Sequence, residues 1–188
     1  MQALLKKAGT LPVRTICPLH GPILKDGLDE YLRLYGIWSS YGVETEGVFI
    51  ACASIHGNTL TAARRLEAML RERGVKVAFN DLTRDDPAEA VEDAFRYGRM
   101  VLAASSYDAG LFPPALSFLH DLQAKAWQNR KVALIENGSW APSAARVMRE
   151  LLSAMKNVEI AEPVVSLKSS LKKEDIPALE ALADAICG

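Results

Sequence analysis

The sequence is poor in cysteine, with only three among 188 residues. Cys17, Cys52 and Cys187 are odd in number and widely spaced, which fits neither a disulfide framework nor a zinc knuckle. Cys52 lies inside an apolar run, so we expect it to be a small core residue. Together these features predict a cytoplasmic protein from a reducing compartment.

Long apolar runs and a surplus of one charge are lacking as well. No apolar run reaches the length of a membrane span, and the first residues form too short a segment for a secretory signal. The 22 basic and 23 acidic residues give a net charge of −1, so nothing favours nucleic acid or a membrane surface as a partner. The composition, 49% hydrophobic and 24% charged, is that of a globular domain with an extension.

From Gly47 onward, apolar runs alternate with segments of helical periodicity. Five strands are predicted, each followed by a helix with one apolar face, and Pro163 interrupts the fifth strand and places it at an edge. The predicted strands cover residues 48–53, 75–79, 99–104, 131–135 and 158–165. This alternation predicts a doubly wound α/β sheet, which binds ligands beyond the carboxyl ends of its strands.

Residues 1–46 lack that regular alternation and are predicted to form an N-terminal extension, with residues 47–188 as the sheet domain. One short helix is expected from about Asp26 to Ser39, with aromatic and aliphatic residues along one face. That face is expected to pack on its own domain, on a partner or on a neighbouring domain.

The loop after the first strand, residues 54–59, passes directly from strand to helix. Such a turn gathers unpaired backbone N–H groups at the positive end of a helix dipole, which makes a cradle for phosphate. Ser54, Asn58 and Thr59 add side-chain donors, and Gly57 allows a close backbone approach. The alternative is an ordinary turn in which Asn58 or Thr59 only caps the helix.

The loops after the third and fourth strands lie at the same edge of the predicted sheet. Residues 105–112 contain hydroxyls, an aromatic ring, a carboxylate and a glycine, and residues 136–142 contain amides and an indole. Tyr107 or Trp140 is expected to stack on a planar ring whose edge the loop amides bind. In the alternative, both aromatic side chains only cover the edge of the sheet.

Three competing motifs are absent from the sequence. There is no G-x-G-x-x-G after the first strand, no G-K-[ST] after the cradle and no G-x-S-x-G. These absences argue against a dinucleotide site, a nucleoside triphosphate site with a phosphate-binding lysine, and a hydrolase nucleophile elbow. The loops suit a ligand with a phosphate at one end and a planar ring at the other, and flavin mononucleotide (FMN) fits that description best.

The segment Ala53–Thr59 resembles the phosphate loop of flavodoxins, and residues 105–112 resemble their second flavin loop. Ile16–Pro22, with Tyr35 and residues 38–41, resembles the segment that joins the two domains of flavodiiron proteins, also called A-type flavoproteins. Nearly the whole chain is similar to the carboxy-terminal flavodoxin-like part of that family. The resemblance implies a flavodoxin-like three-layer sandwich, with a five-stranded parallel sheet in the order 2-1-3-4-5 and helices on both faces.

The resemblance also implies FMN contacts from all three loops. Phosphate contacts are implied at Ser54, His56, Gly57, Asn58 and Thr59. Ribityl and ring contacts are implied at Ser106, Tyr107, Asp108, Gly110, Asn137, Gly138, Ser139 and Trp140.

In flavodiiron proteins, a metallo-β-lactamase-like domain with a di-iron centre precedes the flavin domain, and electrons pass from FMN to iron to reduce oxygen or nitric oxide. His20 matches an iron ligand of the family, but the three histidines of this sequence have no spacing that would build a metal site. We therefore expect no metal site and no catalytic residue, as in an excised domain, a truncated product or half of a split system.

The predicted function is an FMN-binding electron-transfer domain with protein redox partners. The resemblance implies rubredoxin or a reductase as electron donor and a di-iron domain as acceptor. Two alternatives remain open at this stage. One is a stand-alone flavodoxin-like reductase of FMN that uses NADH or NADPH, usually as a homodimer, and the other is an interaction module without flavin.

Overall fold

The computed structural model describes all residues from Met1 to Gly188, and the chain divides into two compact units, residues 1–44 and 45–188. The first unit contains helices α1 (Gln2–Ala8) and α2 (Leu28–Ser39). The Gln2 side-chain amide donates a hydrogen bond to the Gly36 carbonyl and so joins the two helices. Helix α2 begins later than expected because the preceding residue, Gly27, lies in the left-handed region with φ 65°.

The second unit is built on a parallel sheet. Its strands are β1 (Thr45–Ala53), β2 (Val77–Asp81), β3 (Tyr97–Tyr107), β4 (Gly110–Leu111), β5 (Arg130–Asn137), β6 (Val158–Ile160) and β7 (Val165–Leu167). The order is β2-β1-β3-β5-β6, and β7 also pairs with β5, so β6 and β7 are two halves of one edge strand. The predicted order 2-1-3-4-5 is confirmed, although the sheet has seven strands rather than five.

Both additional strands have local causes. Pro163 lies between β6 and β7 and has no N–H to donate to a ladder, so the edge strand is broken there, as the sequence predicts. Strand β4 exists because Asp108 and Ala109 have positive φ angles of 48° and 54° and turn the chain back on β3. Two such residues form the type I′ turn of a tight hairpin, which the sequence does not reveal because no Asn-Gly or Asp-Gly pair is present.

Helices cover both faces of the sheet and form the outer layers. These helices belong to the second unit and are α3 (Asn58–Glu72), α4 (Pro87–Arg96), α5 (Pro113–Ala124), α6 (Ala144–Ser153) and α7 (Ile176–Cys187). Helices α4, α5 and α6 pack on one face, and α3 and α7 pack on the other. Strand β1 contributes to both cores, with Phe49 and Ala51 on one side and Val48, Ile50 and Cys52 on the other. Its continuous apolar run therefore reflects burial on both faces.

Most helices that follow the strands have either side-chain acceptors for their first N–H groups or prolines, which have no N–H. Helix α4 is capped by Asp86, whose carboxylate accepts from the Ala88 N–H at 2.8 Å. Helix α5 begins with two prolines, which have no N–H. At the start of α6, the Ser106 hydroxyl accepts from the N–H groups of Ser143 and Ala144 at 2.8 and 3.2 Å.

Helix α6 receives a further cap from the carboxylate of Glu136, which accepts from the Ala145 N–H at 2.8 Å. Helix α3 differs from these helices, because its cap residue is Gly57 and no side chain bonds to its first N–H groups. Its amide donors remain available to another acceptor.

No helix of the structure combines the length and the apolar character that crossing a bilayer requires.

The thiol of Cys52 is predicted to be inert in the folded protein. Cys52 is fully buried, and burial raises the pKa of its thiol to about 12, with the nearby Asp81 charge adding to the shift. Since the thiolate is the reactive form, a thiol reagent at pH 8 should label exposed Cys17 rapidly and label Cys52 only after unfolding. Peptide mass spectrometry reads out both sites, and a Cys17→Ser variant should lose the rapid phase. Rapid labelling of Cys52 in the native protein would contradict its burial.

Ser106 is predicted to stabilise the start of α6. Ser106→Ala removes the acceptor of two helix N–H groups and should lower the free energy of unfolding by about 1 kcal/mol, measured by urea denaturation. Exposed Ser139, on the neighbouring loop, offers the matched control, and Ser139→Ala should change stability by less than about 0.5 kcal/mol. Equal stability of Ser106→Ala and wild type would show that the cap contributes nothing.

Candidate functional site

A cavity of about 250 Å³ lies beyond the carboxyl ends of β1, β3 and β5. Hydroxyl, amide and backbone groups from four loops form its walls. The lining residues are Ser54, Ile55, His56, Asn58, Thr59, Ser105, Ser106, Asn137, Gly138, Ser139 and Ser169. No lysine, arginine, aspartate or glutamate is among them, so a ligand here would be held mainly by neutral donors.

The turn from β1 to α3 forms one wall of this cavity. Gly57 adopts a left-handed conformation with φ 86°, and its N–H donates to the Ser54 hydroxyl at 3.0 Å. No atom lies within 4 Å of the position that a Cβ would occupy at Gly57, so the turn is open on this side. Because neither Asn58 nor Thr59 caps α3, the interpretation of this stretch as an ordinary cap is wrong. The start of α3 is thus a set of amide donors in a cavity wall, suited to an anion.

A pair of hydroxyl groups lies beneath this turn. The hydroxyl oxygens of Thr59 and Ser105 are 2.9 Å apart, and Thr59 is 1% exposed. Each hydroxyl carries one proton, and only one is used within the pair, so the other can be donated to a ligand. Sequence reasoning did not assign Ser105, although its position at the end of an apolar strand, next to Ser106, was the available signal.

The second and third loops are fastened to each other through the start of α6. Besides the bonds of Ser106 to that helix, the Ser143 hydroxyl donates to the Gly110 carbonyl at 2.9 Å. Gly138 lies against Ser106, and a Cβ at this position would come within 2.9 Å of the Pro142 backbone. The predicted residues Ser106, Gly110 and Gly138 therefore have structural contacts of their own.

Asn137 lines the cavity, but its side chain is engaged with a fourth loop. Its amide donates to the Ser169 carbonyl at 2.8 Å, and its carbonyl oxygen accepts from the Ser169 N–H at 3.0 Å. Ser169 itself lines the cavity and was missed from the sequence. The position of its loop after a broken edge strand offered no signal that it reaches the site.

The two predicted ring-stacking residues lie outside the cavity. Tyr107 is 51% exposed and contacts Phe112 with ring centroids 5.9 Å apart, and Trp140 is 94% exposed. An indole so exposed covers no part of the sheet edge, so the alternative interpretation is wrong for Trp140. Exposed Asp108 lies in the hairpin turn beside Tyr107.

The structure thus gathers eight of the thirteen predicted site residues around one cavity. They are Ser54, His56, Asn58, Thr59, Ser106, Asn137, Gly138 and Ser139. Gly57 belongs to the cradle backbone, and four others lie on the second and third loops without lining the cavity: Tyr107, Asp108, Gly110 and Trp140. Their roles toward a ligand stay predictions.

His20, which matches an iron ligand of flavodiiron proteins in sequence, lies in the first unit. His20 is exposed there, and no group of three or more histidine, cysteine, aspartate or glutamate residues is arranged to hold a metal ion.

Comparison with known proteins links the chain to flavoproteins, although no family model matches it. The putative diflavin flavoprotein A 3 of Synechocystis is 34% identical over 96 residues, which are 50% of this chain and 16% of that protein. The anaerobic nitric oxide reductase flavorubredoxin of Pectobacterium atrosepticum is 21% identical over 147 residues, 77% of this chain and 29% of that protein. The chain therefore spans a minor part of these relatives.

Among solved structures, rubredoxin oxygen:oxidoreductase from Desulfovibrio gigas superposes on 98% of this chain with a TM-score of 0.89 at 20% identity, over 46% of its own length. A flavodoxin from Streptococcus pneumoniae superposes on 76% of this chain with a TM-score of 0.64 at 22% identity, over 98% of its own length. These likenesses establish the fold. The chain has a flavodoxin-like fold and is similar in sequence to diflavin flavoproteins and flavorubredoxins.

Proposed function

We propose that this chain binds FMN and acts as an electron-transfer domain. The start of α3 is the observation that carries the proposal. Among the helices that follow β1, β2, β3 and β5, it alone has neither a side-chain cap nor prolines in place of its first N–H groups, and it opens into a cavity. An anionic group is the ligand that such donors favour. The flavoprotein names of the relatives point to the phosphate of a flavin nucleotide.

The residues present fit this group from its phosphate end outward. The backbone N–H groups of Asn58 and Thr59, with the hydroxyls of Ser54 and Thr59, would hold the phosphate, and His56 lies beside them. The ribityl chain would meet the walls formed by the third loop. Tyr107 and Trp140 would contact the planar ring, because they are the exposed aromatic side chains of the second and third loops.

Electrostatics of the site follow from its neutral donors. When bound, FMN supplies reversible electron uptake, and the protein supplies binding, orientation and the local field. No lysine or arginine lines the cavity to compensate the charge of a phosphate, and Asp108 adds a carboxylate on the second loop. Both features oppose the addition of further negative charge at the site and so favour a low reduction potential.

The redox partners are proposed from the resemblance to flavodiiron proteins. The name of rubredoxin oxygen:oxidoreductase, a protein that shares this fold, refers to rubredoxin. We propose that a rubredoxin-type protein or a reductase supplies electrons to this domain, and that a di-iron centre of a partner domain receives them.

The decisive experiment is an absorbance spectrum of the purified protein with and without added FMN. We expect uptake of one FMN per chain. Protein that stays colourless and takes up no FMN would contradict the proposal and favour an interaction module. Bleaching of bound flavin by NADH or NADPH alone would favour a reductase instead of an electron carrier.

Loss of the Thr59 hydroxyl is predicted to weaken FMN binding. A hydrogen bond to a charged group contributes about 1.5–3 kcal/mol, so Thr59→Ala should lower the affinity by about one to two decades in a fluorescence titration. Thr59→Ser retains the hydroxyl and its contact with Ser105 and should bind FMN nearly as well as wild type. Circular dichroism should show folded protein in both variants. Unchanged affinity of Thr59→Ala would remove this hydroxyl from the phosphate site.

Trp140 is predicted to report on the flavin ring. Its emission should be quenched when FMN is added, because a ring in contact with the indole offers a path for energy or electron transfer. The other tryptophans are Trp127, fully buried in the core, and Trp38, in the first unit. A Trp140→Phe variant should therefore lose most of the FMN-dependent quenching while retaining FMN binding. The same quenching in this variant would place Trp140 outside the site.

A further inference from the structure

We propose that Ser169, on the loop after the edge strand, donates a hydrogen bond to the phosphate of the bound flavin, and that Asn137 is the residue that positions it. This inference rests on the proposed function and adds a fourth loop to the three that the sequence indicates. Ser169 lines the same cavity as Ser54 and Thr59.

The Ser169 side chain lies at the phosphate end of the cavity. The side-chain amide nitrogen of Asn58, the first residue of α3, is 3.5 Å from the Ser169 hydroxyl oxygen. That hydroxyl therefore lies beside the side chain of a cradle residue, although 111 residues separate the two positions in sequence.

The hydroxyl proton of Ser169 is available to a ligand. The long contact with the Asn58 amide uses the hydroxyl oxygen as acceptor, and the hydrogen bonds of the structure give its proton no acceptor. A hydroxyl group offers one donor and two acceptor positions, so a phosphate oxygen is the complement that Ser169 lacks.

The backbone of Ser169 is held in an uncommon conformation by a single side chain. Its φ angle is 72°, in the left-handed region that residues with a Cβ seldom adopt. The Asn137 amide binds both the carbonyl and the N–H of Ser169, at 2.8 and 3.0 Å, and is itself 6% exposed. The Gly138 N–H adds a bond to the Leu167 carbonyl at 3.0 Å. Conformations of this kind persist where their surroundings over-determine them, and they cluster at ligand sites.

These contacts assign Asn137 a positioning role. Both polar atoms of its side chain are bonded to Ser169, so we assign its effect on a flavin to the position of that loop. Without the Asn137 amide, the loop would lose the contacts that hold Ser169 in its left-handed conformation. The hydroxyl would then no longer be held at the phosphate end.

The test compares FMN with riboflavin, which lacks the phosphate, by titration calorimetry on the full chain. We expect Ser169→Ala to lower the affinity for FMN about tenfold, as for one lost hydrogen bond to a charged group, and to change the affinity for riboflavin less than about twofold. Ser169→Gly removes the same hydroxyl in a residue that adopts positive φ freely, so it should give the same loss. Ser170→Ala, at the exposed neighbouring residue, is the matched control and should bind both ligands as wild type does.

A second measurement separates positioning from general damage. Asn137→Ala should also lower FMN affinity, and the double variant with Ser169→Ala should bind no more weakly than the weaker single variant, because both changes remove one interaction. Additive losses, or equal losses for FMN and riboflavin, would overturn the inference. So would unchanged FMN affinity in Ser169→Ala while wild type binds FMN. Failure of wild type to bind FMN at all would instead overturn the proposed function and this inference with it.

Discussion

The need of every helix start for hydrogen-bond acceptors shapes the carboxyl edge of this sheet. Amide groups in the first turn of a helix have no partner within the helix, and burial without one is costly. At α4 and α6 the protein supplies carboxylates and a hydroxyl, and at α5 it uses prolines, which have no N–H. At α3 it supplies no side chain, and a cavity lies there instead. Because its first N–H groups have no side-chain acceptor, the start of α3 is the helix start at this edge that best suits an anion.

The buried position of β1 explains why that helix start is so well placed. β1 lies between β2 and β3, and its side chains enter both cores, so its carboxyl end cannot shift without disturbing the packing on both faces. The turn at Gly57 therefore rests on one of the most firmly held elements of the molecule. Loops on rigid elements hold ligands more exactly than loops on mobile ones.

The other walls of the cavity are held by polar bonds between loops. Ser106 connects the hairpin to α6, and Asn137 connects the third loop to Ser169. In both cases a residue that the resemblance assigns to flavin contacts also holds a neighbouring loop in place. The geometry of the site thus depends on the hydrogen bonds that cavity-lining side chains make to neighbouring loops.

The alternation of apolar runs with helical segments was enough to predict the layers, and the strand-to-helix turn at residues 54–59 was enough to predict a phosphate cradle. Those features are local, since burial on both faces produces a continuous apolar strand and small residues mark its exit. The strand order, by contrast, was implied by the resemblance to flavodiiron proteins. Other features arise only when distant segments meet. The Thr59–Ser105 pair joins the start of α3 to the end of β3, and the Asn137 side chain binds the backbone of Ser169 on a fourth loop. Hydrogen bonds between residues 32 or more positions apart leave no periodic trace in the chain, so the tertiary structure alone decided them.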